Sequence, residues 1–187
     1  MKIESTPLEG CYIIHNRVFN DSRGYFFESF NKESFSKATG IAADFVQDNQ
    51  SASVKGVLRG LHFQRGEHAQ AKLVRVLKGK VLDVAVDIRP ASATFGQHFS
   101  LELSEDSGTQ LYIPRGFAHG FIVLSDEAVF FYKCDNYYNK AAEGGLLYND
   151  PGLNIDWQLP EDSLILSDKD KENPLLKDLK DLHAAAL

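Results

Sequence analysis

The 187 residues, 43% of them hydrophobic, suffice for one globular domain, residues 1–187, with a substantial core. Twenty Lys and Arg against 26 Asp and Glu give a formal net charge of −6, which argues against nucleic acid or an anionic membrane surface as the main partner. No apolar run approaches the ~20 residues of a membrane span, Met1-Lys-Ile-Glu-Ser-Thr-Pro lacks the apolar region of a secretion signal, and a cytoplasmic protein is expected.

Short β-type runs recur between Gly, Asn, Asp and Pro with no fixed-period repeat, which predicts an all-β sandwich or barrel with a few short peripheral helices. Strands are expected at Tyr12 to Val18 and Tyr25 to Phe30. A helix follows over Asn31 to Thr39, with Asn31 able to cap its start and Gly40 its end. Val57 to Gln64 is strand-like and apolar. From Lys72 to Arg89, β-branched residues flank Lys78-Gly79-Lys80, which reads as a hairpin turn. Val81, Asp83, Ala85 and Asp87 would share one face of the second arm, and Leu82, Val84, Val86 and Ile88 the other. Further strands are expected at His98 to Leu103, Gln110 to Ile113, Gly120 to Leu124 and Ala128 to Lys133, and leucine spacing predicts a helix over Pro174 to Ala186. Cys11 and Cys134 belong to no motif and read as free thiols.

Two histidine segments stand out. Gly56 precedes Val57-Leu-Arg-Gly-Leu-His62-Phe-Gln64, and Gly108 opens a G-x5-P-x-G-x-x-H run ending at His119. The pair resembles the double motif of the cupin superfamily, which implies a jelly-roll β-barrel. Metal-binding cupins continue the first motif as His-x-His and then a Glu, because a divalent ion needs three or four converging ligands. Here Gln64 replaces the second histidine and Glu67 falls off the expected spacing. The resemblance therefore implies a cavity that uses no metal or cofactor and works by acid, base and electrostatics.

A second cluster is cationic and aromatic. Asp21-Ser-Arg-Gly-Tyr-Phe-Phe-Glu28 supplies Arg23, Phe26 and Glu28, and Arg59 and Lys72 flank His62 in sequence. A diphosphate suits the arginine fork, and a nucleobase can stack on an aromatic ring. Taken singly, each residue has a plainer reading. A strand Arg or Lys is usually a solvated face, a lone His a satisfied structural residue, and the tyrosines of Tyr132-Lys-Cys-Asp-Asn-Tyr-Tyr138 core aromatics. Together they form a constellation.

Several stretches in order carry a closer resemblance: Asp21-Ser-Arg-Gly, Phe45-Val-Gln-Asp-Asn-Gln-Ser-Ala-Ser53, the two histidine segments, Glu143-Gly-Gly, Asn149-Asp-Pro151, Ile155-Asp-Trp157 and Leu166-Ser-Asp-Lys-Asp170. Over nearly its whole length the chain resembles the dTDP-4-dehydrorhamnose 3,5-epimerases. The resemblance implies a dTDP-4-keto-6-deoxy sugar as substrate, His62 as general base with Asp170 behind it, Tyr132 as the acid on the opposite face, and Lys72 by the C4 carbonyl oxygen. Asp168 stands close enough in sequence to compete with Asp170 for that place. Arg23, Glu28, Gln47, Asn49, Arg59, His119, Tyr138, Glu143 and Lys169 match positions that hold nucleotide, diphosphate or sugar, and Phe26 would lie near the thymine. A homodimer is implied, with Arg23 and Glu28 reaching into the neighbour's site.

Such chemistry needs these residue types. A C–H beside a ketone becomes removable only if the developing enolate oxygen is stabilised, which Lys72 would do, with Arg59 or His119 as possible helpers. Histidine takes a proton near neutral pH, and a carboxylate behind it fixes its tautomer. Inversion then needs a proton from the other face, for which a neutral phenol is suited. The chain departs from the family pattern at Lys140, where proline is common, and at Tyr148, where tryptophan is frequent. A mono-epimerase or ketoisomerase on the same scaffold, or a non-enzymatic cupin that binds a sugar or metal, are the alternatives.

Overall fold

A computed structural model describes residues 1–179. Its elements in order are β1 (Lys2–Ser5), β2 (Tyr12–His15), β3 (Phe19–Asp21), β4 (Gly24–Phe26), α1 (Lys32–Thr39), β5 (Gln47–Val54), β6 (Leu58–Gln64), β7 (Lys72–Lys78), β8 (Lys80–Asp87), β9 (His98–Ser104), β10 (Thr109–Ile113), β11 (Phe117–Val123), β12 (Glu127–Cys134), β13 (Glu143–Gly145) and a one-turn α2 (Asp168–Lys171). A six-stranded sheet, ordered β1-β2-β10-β7-β12-β5, faces a five-stranded sheet, ordered β13-β6-β11-β8-β9, while β3 and β4 form a separate hairpin. The ladders are antiparallel, and the whole is the jelly-roll arrangement of a cupin.

Alternation along the strands builds three apolar layers. Val74, Val76, Leu111 and Phe130 of one sheet meet Val81, Ala85, Phe121 and Val123 of the other in the interior. The outer face of the five-stranded sheet, with Leu82, Val84, Val86, Ile88 and Ile122, is covered by Leu146, Leu153 and Trp157 from the C-terminal segment. The outer face of the six-stranded sheet, with Ile14, Leu73 and Tyr112, is covered by Phe35 of α1 and by Ala43. Both expected faces of β8 are thus buried, which is why that segment is almost continuously apolar.

The hairpin expected at Lys78-Gly79-Lys80 does not form. β7 pairs with β10 and β12, β8 pairs with β9 and β11, and Gly79 is the corner where the chain leaves one sheet for the other. At φ +76°, with the Glu127 carbonyl where a Cβ would stand, this corner requires glycine. β2 ends at His15 rather than Val18, and β4 at Phe26 rather than Phe30. Phe30 leaves the hairpin to pack edge-on against Phe45, 5.1 Å between ring centroids. β11 begins at Phe117, so His119 lies within the strand. α1 has the caps read from sequence: Asn31 Oδ1 accepts from Ser34 N–H at 3.0 Å, and Gly40 is left-handed at φ +74°. Of the helix expected over Pro174 to Ala186, the described part holds a 3-10 turn at Leu176–Asp178, and residues 180–187 lie outside the described residues. Cys11 and Cys134 are both buried free thiols.

The β6–β11 ladder positions the site. Its register shifts between His119 and Phe121, and beyond the shift His119 is paired with His62. Gly60 adopts φ +130°, and a Cβ there would sit 2.5 Å from Gly120 Cα and 2.9 Å from the His119 carbonyl oxygen. Gly60→Ala is therefore expected to cost about 2–4 kcal/mol, seen as a lower urea midpoint with an unchanged m-value.

Candidate active site

Strand alternation points polar side chains into the barrel interior from both sheets. His62 (β6) and His119 (β11) come from the five-stranded sheet, and Lys72 (β7) and Tyr132 (β12) from the six-stranded sheet. They line a cavity of about 590 Å³ with Asn49, Arg59, Lys169 and Asp170. An adjoining space of about 150 Å³ shares Asn49, His62, Lys72 and Tyr132 and adds Gln47, Tyr138 and Glu143. Eleven of the fourteen residues picked from sequence converge in this way.

His62 Nε2 lies 2.5 Å from Asp170 Oδ1. The acid arrives on a C-terminal strap pinned to the start of β6, where Ile165 N–H donates to the Gly56 carbonyl at 2.8 Å and Leu58 N–H to the Ile165 carbonyl at 3.0 Å. Ser167 Oγ then accepts from Asp170 N–H at 3.2 Å, opening α2 so that Asp170 turns inward and is 3% exposed. Asp168 points to solvent and meets Lys171 at 3.2 Å, so Asp170 is the acid that pairs with His62. Burial raises the Asp170 pKa, but the hydrogen bonds with His62, Ser167 and the Gly60 backbone outweigh it and hold the carboxyl below its ordinary value.

Burial lowers the Lys72 pKa, against the opposing pull of Cys134, Asp83 and Glu143. Its Nζ lies 5.7 Å from the centre of the Tyr132 ring. Burial pushes the Tyr132 phenol up to about 12, which keeps it neutral and able to donate. Glu143 receives Lys169 Nζ at 2.6 Å and the Tyr138 hydroxyl at 3.1 Å. Burial raises its pKa, and those two partners more than reverse the effect.

Gln64, where a metal-binding cupin would carry a second histidine, is a loop anchor: its Oε1 accepts from Asn139 N–H at 2.9 Å. Gln47 Oε1 accepts from Tyr138 N–H at 3.0 Å, so two glutamines hold the loop that carries Tyr138 and Glu143. Asn139 Oδ1 caps Ala141 N–H at 2.9 Å, and the short turn holding Lys140 forms without a proline. Tyr148, the other departure, donates its hydroxyl to Glu161 at 3.1 Å while its carbonyl accepts from the Trp157 indole at 2.9 Å. Among the described residues no three His, Cys, Asp or Glu side chains converge as a metal site.

Arg23, Phe26 and Glu28 are not brought to the cavity. Arg23 pairs with Asp21 at 2.5 Å, Phe26 is 70% exposed, and Glu28 accepts from Asn31 Nδ2 at 3.2 Å. The β3–β4 hairpin carries Arg23 and Phe26 outside both main sheets, with Glu28 just beyond it. Conversely, sequence reading missed Asp83, whose Oδ1 lies 2.7 Å from His119 Nε2 at zero exposure, and the cavity wall made by Ser51 and Phe121. An acid between Val81 and Ala85 on a buried strand face was the available signal for Asp83.

The family model described as dTDP-4-dehydrorhamnose 3,5-epimerase matches residues 5–178. A protein of that name from Salmonella typhimurium is 52% identical over 179 residues, 94% of this chain and 96% of its own. The crystal structure of the dTDP-4-dehydrorhamnose 3,5-epimerase from Elizabethkingia anophelis superposes with a TM-score of 0.92 at 57% identity, covering 95% of this chain and 97% of that one. A dTDP-6-deoxy-D-glucose-3,5-epimerase from Legionella pneumophila, solved with dTDP-4-keto-L-rhamnose, also has a TM-score of 0.92, at 48% identity over 96% and 94% of the two chains. The chain belongs to the dTDP-4-dehydrorhamnose 3,5-epimerase family.

Proposed function

We propose that this protein converts dTDP-4-dehydro-6-deoxy-D-glucose to dTDP-4-dehydro-L-rhamnose by inverting C3 and C5. The observation that carries this is the position of His62 on β6 and Tyr132 on β12, on opposite sheets across a cavity that the half-buried Lys72 also lines. His62 takes the proton from the carbon beside the ketone, and the C–H electron pair moves into an enolate whose oxygen Lys72 stabilises. Tyr132 returns a proton to the other face, the enolate collapses to the ketone, and the configuration is inverted. Asp170 holds the His62 ring and compensates the charge it gains. The same cycle at the second carbon completes the reaction.

Asn49 and Arg59 flank the sugar end of the cavity, and Glu143, Lys169, Tyr138 and Gln47 form its polar rim. A homodimer would give the exposed hairpin its role, delivering Arg23, Phe26 and Glu28 to the nucleotide in a second copy's cavity. No helix of the described residues is long and apolar enough to cross a membrane, and a nucleotide-sugar substrate implies the cytoplasm.

Incubation with the 4-keto-6-deoxy sugar nucleotide in deuterium oxide, read by NMR, tests the assignment. Deuterium is expected at both C3 and C5 with the L-rhamno product. Label at one carbon only makes the protein a mono-epimerase, and no label makes it a binding module.

A further inference from the structure

The cavity contains a second His–Asp pair that the cycle above leaves without a task. Asp83 of β8 has zero exposure and His119 of β11 is 6% exposed, with Asp83 Oδ1 2.7 Å from His119 Nε2. Asp83 Oδ2 is buried with no hydrogen-bond partner. An ionised carboxylate only accepts hydrogen bonds, so the proton between the pair belongs on Nε2. With Nε2 committed to Asp83, Nδ1 is the ring nitrogen left to meet a ligand in the cavity that His119 lines.

We propose that Asp83 is a positioning residue that fixes His119 with a bare Nδ1, making His119 an acceptor for a sugar hydroxyl and leaving Lys72 as the cation for the enolate oxygen. The proposal rests on the epimerase assignment and deepens it.

The groups around the ring agree with this division. From β8 it faces the Asp83 carboxylate, from β7 the Lys72 ammonium and from β6 His62, and the Phe130 ring of β12 stacks against it at 6.0 Å. Burial disfavours a second proton on His119, Lys72 and His62 add to that, and these together outweigh Asp83, leaving the pKa lowered. A neutral ring protonated at Nε2 offers a lone pair at Nδ1. That lone pair repels an enolate oxygen and attracts a hydroxyl hydrogen, whereas the Lys72 ammonium can only donate. Opposite partners for the two polar groups of the substrate would fix the orientation of the sugar in the cavity.

The test is long-range nitrogen–proton NMR of the full chain labelled with ¹⁵N-histidine, free and with dTDP, with the His119 signals assigned by their loss in His119→Gln. Wild type is expected to have a protonated Nε2 and an unprotonated Nδ1 from pH 7 to 8, and a protonated Nδ1 there overturns the proposal. Asp83→Asn, whose amide can donate to Nε2, is expected to shift His119 toward the Nδ1-protonated tautomer. An unchanged tautomer there removes Asp83 from the role. In steady-state kinetics His119→Gln is expected to raise KM by about tenfold or more with kcat little changed, the pattern of lost ground-state binding. A kcat loss of ~100 to 1,000-fold at unchanged KM would instead make His119 an enolate stabiliser and overturn the proposal. The tautomer is read without turnover, so it stands apart from the deuterium experiment that tests the epimerase assignment itself.

Discussion

His62→Ala is expected to abolish deuterium incorporation at both C3 and C5 and to lower kcat by ~100 to 10,000-fold, with dTDP affinity changed only a few-fold. The imidazole is one-third exposed on its cavity side while the carboxylate behind it is 4% exposed, so the ring is open to substrate and its partner is not. Removing the ring removes the proton acceptor and leaves Asp170 buried without its main partner. The polar rim of Gln47, Tyr138, Glu143 and Lys169 is held by its own hydrogen bonds and should survive. Isotope exchange separates this from a general loss of structure, because dTDP binding and the unfolding midpoint are measured on the same sample. Exchange persisting at either carbon would mean that a second base serves that carbon.

Tyr132→Phe is expected to give a different defect: deuterium still enters the substrate while formation of the L-sugar falls by ~100 to 10,000-fold. The substitution deletes one hydroxyl and keeps the ring, which packs against the interior core and lies 6.0 Å from Phe130. In the proposed cycle, proton abstraction by His62 and enolate stabilisation by Lys72 are untouched, so the enolate should form and be reprotonated from the face it left. Label with retention at C3 or C5 is the signature. Unchanged formation of the L-sugar would assign the donor to another group. Because the phenol is neutral to about pH 12, no loss of the Tyr132 proton should limit the rate between pH 6 and 9.

Much of this site was legible because strand alternation is a strict local code. Once Lys72 and Tyr132 are read on strands, they share a face with Val74 and Phe130, and only a barrel interior can hold both. Partner choice was not legible. The runs on either side of Gly79 satisfy the pattern of a hairpin, yet they enter different sheets, since burial on both faces looks the same whichever strands lie alongside. β5 was recognised as a motif but not as a strand, because Asn49 and Ser51 line the cavity and Gln47 the space adjoining it, which erases the apolar alternation. Choosing Asp170 over Asp168 required the Ser167 cap, a feature of backbone geometry. Asp83 lay in plain view on its strand face, but its histidine is on β11 and the contact is long-range. The hairpin residues Arg23 and Phe26 were picked for their chemistry and by family resemblance, and within one chain they stand apart from the cavity that holds His62.

The His62–Asp170 pair also sets a timetable for biosynthesis. Thirteen strands, with His62, Lys72 and Tyr132, are all synthesised by Gly145, whereas Asp170 emerges only with the strap that follows. Chains grow at ~5–20 residues per second and their N-terminal parts fold first, so a nascent barrel can close around its cavity before its base has a carboxylate. A polypeptide cut short ahead of the strap would lack the carboxylate that holds the His62 ring. The His62–Asp170 contact is thus completed only by a stretch of chain that leaves the ribosome after all thirteen strands.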